Sequence, residues 1–96
     1  MITAQTLKQR RQEILEVAAR YGAHNLRIFG SVARGDATEA SDLDLIARFE
    51  PGRSLLDQGG LLMDLQDLLG VKVDVISEGA ISGRFGQVVS KEAMPL

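Results

Sequence analysis

Gly30-Ser31, ten further residues, and then Asp42-Leu43-Asp44 is the stretch on which the reading of this 96-residue chain turns. It sets a phosphate-sized turn ahead of two carboxylates that can share a metal. The carboxylates lie in Ser41-Asp42-Leu43-Asp44-Leu45-Ile46-Ala47, whose first residues alternate polar and apolar as a strand does. On a strand, residues i and i+2 point to one face with Cα atoms about 6.6 Å apart. Carboxylates so placed repel each other unless a cation or a proton intervenes. Mg²⁺ held by one or two carboxylates together with substrate phosphates answers that repulsion.

Upstream, Asn25-Leu26-Arg27-Ile28-Phe29 reads as a short strand running into Gly30-Ser31. Val32-Ala33-Arg34 then reads as the first turn of a short helix ending at Gly35. Glycine lets a backbone approach a ligand closely, and a helix start offers unpaired N–H groups that suit a phosphate. Ser31 adds a hydroxyl, and the Arg34 guanidinium has the reach and the donors for a phosphate oxygen. Downstream, Val71-Lys72-Val73-Asp74-Val75-Ile76 is a third strand-like run, with the valines on one face and Asp74 on the other. An Asp in such a run costs stability unless it is exposed, paired or metal-bound. Taken alone, an edge strand with Asp74 in solvent explains it equally well. Beside Asp42 and Asp44 it completes three strand-borne carboxylates, a set suited to metal-dependent phosphoryl or nucleotidyl transfer.

At these residues the chain resembles the DNA polymerase-β nucleotidyltransferase superfamily, and within it the minimal nucleotidyltransferases that act as MNT-type antitoxins. The matching stretches are Gly30-Ser31-Val32-Ala33-Arg34-Gly35-Asp36, Ser41-Asp42-Leu43-Asp44-Leu45 and Val73-Asp74-Val75-Ile76. The likeness runs on to Glu92-Ala93-Met94-Pro95-Leu96 and so spans nearly the whole chain. It implies that Gly30 and Ser31 contact the nucleotide triphosphate, that Asp42, Asp44 and Asp74 carry Mg²⁺ and catalysis, and that Ser41 acts beside the metal. It also implies a partner, a HEPN-domain toxin with RNase activity, which such antitoxins neutralise by moving AMP from ATP to a toxin tyrosine. Gln58-Gly59-Gly60 departs from expectation by placing two glycines in the middle helix, where helix formers belong.

Composition fits that picture. The length suits one small domain, residues 1–96, with a single modest core, and 45% hydrophobic residues exclude a disordered chain. With no Trp and one Tyr, the core is aliphatic. A net charge of −2 argues against direct nucleic-acid binding. The absence of cysteine excludes disulfides and thiolate metal sites. No apolar run approaches membrane-spanning length and no signal peptide precedes the first helix, so a cytoplasmic protein is expected.

Around the motif, Thr6-Leu7-Lys8-Gln9 has the pattern of a capping box opening a helix to Tyr21, with Gly22 as its stop. A strand Asp42–Phe49 precedes Glu50-Pro51-Gly52. A helix from about Leu55 to Leu69 turns Leu61, Leu62, Leu65, Leu68 and Leu69 inward and stops at Gly70. Gly79, Gly83 and Gly86 weaken any helix after Ser77, although Gln87–Ala93 has the composition of one. The expected fold is α+β, in the order α-β-α-β-α-β-α, a small mixed sheet with helices packed on one face. The loop between the first two strands suits an antiparallel pair.

Other polar residues read more blandly. His24 is a solvated loop residue rather than a ligand, Arg10-Arg11 a solvated helix face, and Asp36 and Glu39 are loop solubility residues. Arg48 shares strand parity with Asp42 and Asp44, but a surface role suits it better. Lys72 is suited both to an ion pair with a site carboxylate and to a contact with triphosphate. Ser41 in its bland role caps a turn. Two further functions stand beside the enzyme: a non-catalytic antitoxin that neutralises by binding, and a nucleotidyltransferase for a small-molecule acceptor. Clustered like charges serve no purpose in mere masking, and so short a chain leaves little room for an acceptor pocket. Homo- or hetero-oligomers are both compatible with this reading.

Overall fold

Apolar residues at i, i+3 and i+4 draw residues 4–20 into two helices, and alternation then gives strands. The computed structural model describes residues 2–96. Helix α1 (Ala4–Gln9) is followed by α2 (Arg11–Arg20), β1 (Ala23–Phe29), α3 (Gly30–Arg34), β2 (Leu43–Phe49), α4 (Leu55–Leu69) and β3 (Val73–Ser77). A single 3-10 turn (Glu78–Ala80), α5 (Gly83–Glu92) and β4 (Met94–Pro95) complete the chain. The sheet has the order β3-β2-β1-β4. β1 runs antiparallel to both β2 and β4, as expected for the first pair, and β2 runs parallel to β3 through the α4 crossover.

The main core lies between one face of the sheet and helices α2 and α4. Ile14, Val17 and Ala18 of α2 meet Leu26 and Ile28 of β1, Leu43, Leu45 and Ala47 of β2, Leu61 and Leu65 of α4, and Val73 of β3. Leu62, Leu68 and Leu69 are only half-buried at its margin. The opposite face receives the carboxy-terminal segment. There Phe85 of α5 packs edge-on against Phe29, and Glu78 pairs with Arg27 at 3.2 Å. Ile46, fully buried and of opposite parity to Leu45, belongs to this second face.

Three boundaries differ from the sequence reading. The first helix opens at a capping box formed by Thr3 and Thr6, one turn before the Thr6-to-Gln9 pattern, and it breaks at Arg10 instead of continuing to Tyr21. Arg10 and Arg11 are braces rather than a solvated face. The Arg10 guanidinium donates to the Leu68 carbonyl in the last turn of α4 at 3.0 Å, and Arg11 donates to the Leu96 carbonyl at 3.1 Å. At the other end, α5 begins at Gly83 and the chain closes with a fourth strand on β1, so the element order is longer than expected by a split helix and an edge strand. Among the described residues no helix is long and apolar enough to cross a membrane.

The two glycines of α4 divide in role. A Cβ on Gly60 would stand 2.5 Å from Cε1 of Tyr21, whereas one on Gly59 would meet nothing within 4 Å. The Tyr21 hydroxyl is tethered to Asp64 at 2.5 Å, so its ring cannot swing away freely. Gly60 is therefore the contact that seats α4 on the end of α2. Gly59→Ala is expected to stabilise the protein by about 0.5–1 kcal/mol through helix propensity, and Gly60→Ala to destabilise it. Thermal melts of the two variants check this; a Gly60→Ala melting temperature at or above wild type would contradict it.

Candidate active site

The site stands where β1 ends and β2 and β3 begin, on the sheet face opposite the main core. β1 delivers the chain into Gly30 at φ +76°, and α3 closes at Gly35 with φ +81°. Both are left-handed conformations that a Cβ disfavours. Gly30 has a second requirement, because a Cβ there would lie 2.5 Å from Oδ2 of Asp44. The Gly-Ser turn is thus packed directly onto the carboxylate. The Ser31 hydroxyl has no hydrogen bond among the described residues, while its carbonyl accepts from Gly35 and Asp36.

Asp44 is the hub. Its Cα pairs with Phe29 across the antiparallel ladder and with Asp74 across the parallel one. Partners in register share a face, so the side chains of Asp44 and Asp74 stand side by side. Burial first, then the Asp74 and Asp42 charges, push the Asp44 carboxyl above its ordinary range, with Arg34 acting the other way. Asp74 is exposed on the edge strand β3, as its solvent reading expects, and is also the register partner of Asp44. β3 itself is anchored by α4: Gln58 donates to the Val75 carbonyl at 2.7 Å, and the Val73 N–H donates to Gln66 at 3.1 Å. These two glutamines cover a strand edge that would otherwise be open. They were not singled out in the sequence, where their only signal is two amides bordering a leucine stripe.

Oxygen-only donors are the chemistry of a hard divalent cation. Among the described residues no three acidic or imidazole side chains already form a metal-sized cluster. Mg²⁺ takes one or two protein carboxylates and completes its shell with phosphate oxygens and water. The crowding of charge on Asp44 is the observation that favours a cation here.

The remaining candidates sort by position. Arg34 lies near enough to act on Asp44, and its guanidinium bridges Asp36 at 3.3 Å and Glu92 of α5 at 3.4 Å. Lys72 pairs with Asp42 at 3.8 Å, an exposed contact worth little by itself. The Ser41 hydroxyl accepts from the Thr38 N–H at 2.9 Å and ties the loop before β2. Arg48 is exposed beside His24 toward the far end of β2, about 13 Å along the strand from Asp44. His24 lies within β1 rather than in a loop and pairs with Glu50 at 2.9 Å.

A turn of this kind set against strand-borne carboxylates defines a nucleotidyltransferase of the polymerase-β-like fold. The chain belongs to the nucleotidyltransferase domain family, which matches residues 10–94. It is 34% identical over 79 residues to the protein adenylyltransferase MntA of Thermococcus cleftensis, across 82% of this chain and 80% of that one. A Methanocaldococcus jannaschii protein assigned as a protein adenylyltransferase is 33% identical over 84 residues, 88% of this chain and 90% of that one. The solved structure of a protein assigned as a minimal nucleotidyltransferase superposes with a TM-score of 0.86 at 49% identity, covering 99% and 97% of the two chains. A toxin-antitoxin crystal structure with AMP-PNP superposes with a TM-score of 0.75 at 19% identity, over 88% of this chain and 69% of that one, a likeness of fold.

Ser31→Ala is expected to weaken ATP binding by about 10- to 150-fold, the loss of a hydrogen bond to a charged group of about 1.5–3 kcal/mol. The melting temperature should hold, since the hydroxyl bonds nothing within the described fold. Titration calorimetry checks both statements; unchanged affinity would place the phosphates elsewhere.

Proposed function

We propose that residues 1–96 form one nucleotidyltransferase domain that transfers AMP from ATP to a tyrosine of a HEPN-domain toxin, as the antitoxin of that pair. The observation that carries the reading is Asp44, in register with Asp74 on the neighbouring strand and standing against the Gly30 turn. The names of the relatives support the activity, and the toxin-antitoxin structures support the kind of partner.

In this reading Gly30 and Ser31 hold the triphosphate through backbone and hydroxyl donors. Asp42 and Asp44, with Asp74 beside them, would hold Mg²⁺, which when bound supplies neutralisation of phosphate charge. Asp74, exposed toward the acceptor, takes the proton from the tyrosine hydroxyl as its oxygen attacks the α-phosphorus. The bond from the α-phosphorus to the bridging oxygen breaks and pyrophosphate leaves. Arg34 then trades its carboxylate partners for the departing charge. Beyond that proton transfer, the protein contributes positioning and electrostatics.

One observation favours a binding role in addition. Leu55, Leu56 and Met63 are 83%, 86% and 62% exposed on the outer side of α4, an apolar surface suited to a partner. The experiment that separates catalysis from masking is intact mass spectrometry of the partner after incubation with this protein, ATP and Mg²⁺. A gain of one or more AMP units is expected, absent with Asp42→Asn/Asp44→Asn. Full neutralisation by that double variant, with no mass gained from wild type, would leave binding as the function.

A further inference from the structure

On the proposed reading of the phosphate turn, we infer that the aromatic pair Phe29–Phe85 is the seat of the nucleobase, with the ring of Phe85 as the stacking surface. Phe29 immediately precedes Gly30 and is the register partner of Asp44 on the same sheet face. Its ring meets that of Phe85 edge-on, with centroids 5.6 Å apart and planes at 85°. The pair therefore extends the site sideways from the carboxylates toward α5. Phe85 is 40% exposed, and Val88, one helical turn on, is 44% exposed. The two form an apolar shelf beside a cluster of charge. A large aromatic ring kept partly in water next to a phosphate turn is what a base can use, because every base has a π-face and stacks without needing specific hydrogen bonds.

The shelf is also held in place. Glu92, on the last turn of α5, pairs with Arg34 of α3, and Val89 is buried beneath the helix. α5 is thereby fixed against the same short helix that begins at Gly30. A nucleotide whose phosphates lie on Gly30-Ser31 and whose sugar and base run over Phe29 and Phe85 buries apolar area there.

The test uses the absence of tryptophan from the chain. Phe85→Trp installs a single indole whose emission ATP should quench and inorganic tripolyphosphate should leave unchanged, both with Mg²⁺. In calorimetry, Phe85→Ala should weaken ATP binding by about 5- to 100-fold while tripolyphosphate binds as to wild type, and Phe85→Trp should restore ATP affinity. Equal losses for both ligands would mark Phe85 as merely structural and overturn the inference. So would ATP affinity that Phe85→Ala leaves intact. If wild type binds tripolyphosphate and ATP alike, the phosphate reading stands without a base seat; if it binds neither, the phosphate reading itself fails.

Discussion

Replacing Asp42 and Asp44 together with asparagine is expected to lower nucleotide transfer at least about a thousandfold, the several kcal/mol that metal-assisted charge stabilisation supplies. The fold should survive and at neutral pH gain stability. The Asp44 carboxyl is held above its ordinary range by burial and by Asp74 and Asp42. A carboxyl raised in the folded state binds its proton more tightly there than in the unfolded chain. Its ionised form therefore destabilises the fold above the folded-state value, and that penalty disappears as pH falls below the unfolded value. Asparagine removes the penalty where it exists. The variant should melt above wild type at neutral pH, with the advantage shrinking as the solution is acidified through the carboxylate range. Asp42 loses only its exposed 3.8 Å pair with Lys72, which is too weak to reverse the sign. Transfer assays over a Mg²⁺ titration and melts across pH check both halves. Transfer equal to wild type would remove the metal-site assignment; a lower melting temperature at neutral pH would contradict the electrostatic account of Asp44.

Gly30→Val should be damaging in two ways. At φ +76° a β-branched residue is strained by about 1–3 kcal/mol, and its Cβ would stand 2.5 Å from Oδ2 of Asp44, closer than contact allows. Either the turn or the carboxylate must move, so nucleotide affinity should fall further than with Ser31→Ala. Gly35→Ala is the matched control. Gly35 has φ +81°, but a Cβ there meets nothing within 4 Å. It should lose stability through backbone strain, roughly 1–2 kcal/mol, while binding nucleotide normally. Calorimetry and melts on the two variants separate strain from obstruction. Normal affinity in Gly30→Val would mean that the turn does not approach the nucleotide.

Where local chemistry decides the structure, the sequence was legible. Gly35 and Gly70 end their helices in the left-handed conformation, α4 spans Leu55–Leu69 as its leucine spacing requires, and Asp44 lies on the strand face its parity assigns. The amino-terminal boundary was misplaced because the capping box uses Thr6 at the third helical position, where the pattern looks for Glu or Gln. That made Thr6 look like the cap instead of its partner. α5 was under-read because Gly83 and Gly86 lower helix propensity, and what overrides them is distant in sequence: Phe85 on Phe29, Glu92 on Arg34. β4 is two residues, one of them proline, and exists only because β1 offers it an edge. The pairing of Asp44 with Asp74 required the parallel register, which no local pattern specifies.

The occupied state of Arg34 bears on the order in which ligands arrive. Three carboxylates gather where β2 and β3 begin, the cation that acts on Asp44 is already shared between Asp36 and Glu92, and Lys72 meets Asp42 only through an exposed 3.8 Å pair. The mouth of the site is then a negative well, and a bare nucleotide triphosphate is repelled from it. On the proposed function such a surface is expected to favour nucleotide already clad in its metal, and added salt, by screening like charges, to speed the approach of the metal-free anion instead of slowing it. On the proposed function the usual sign of electrostatic steering is therefore expected to reverse, with filling of the site following free magnesium more steeply than free nucleotide.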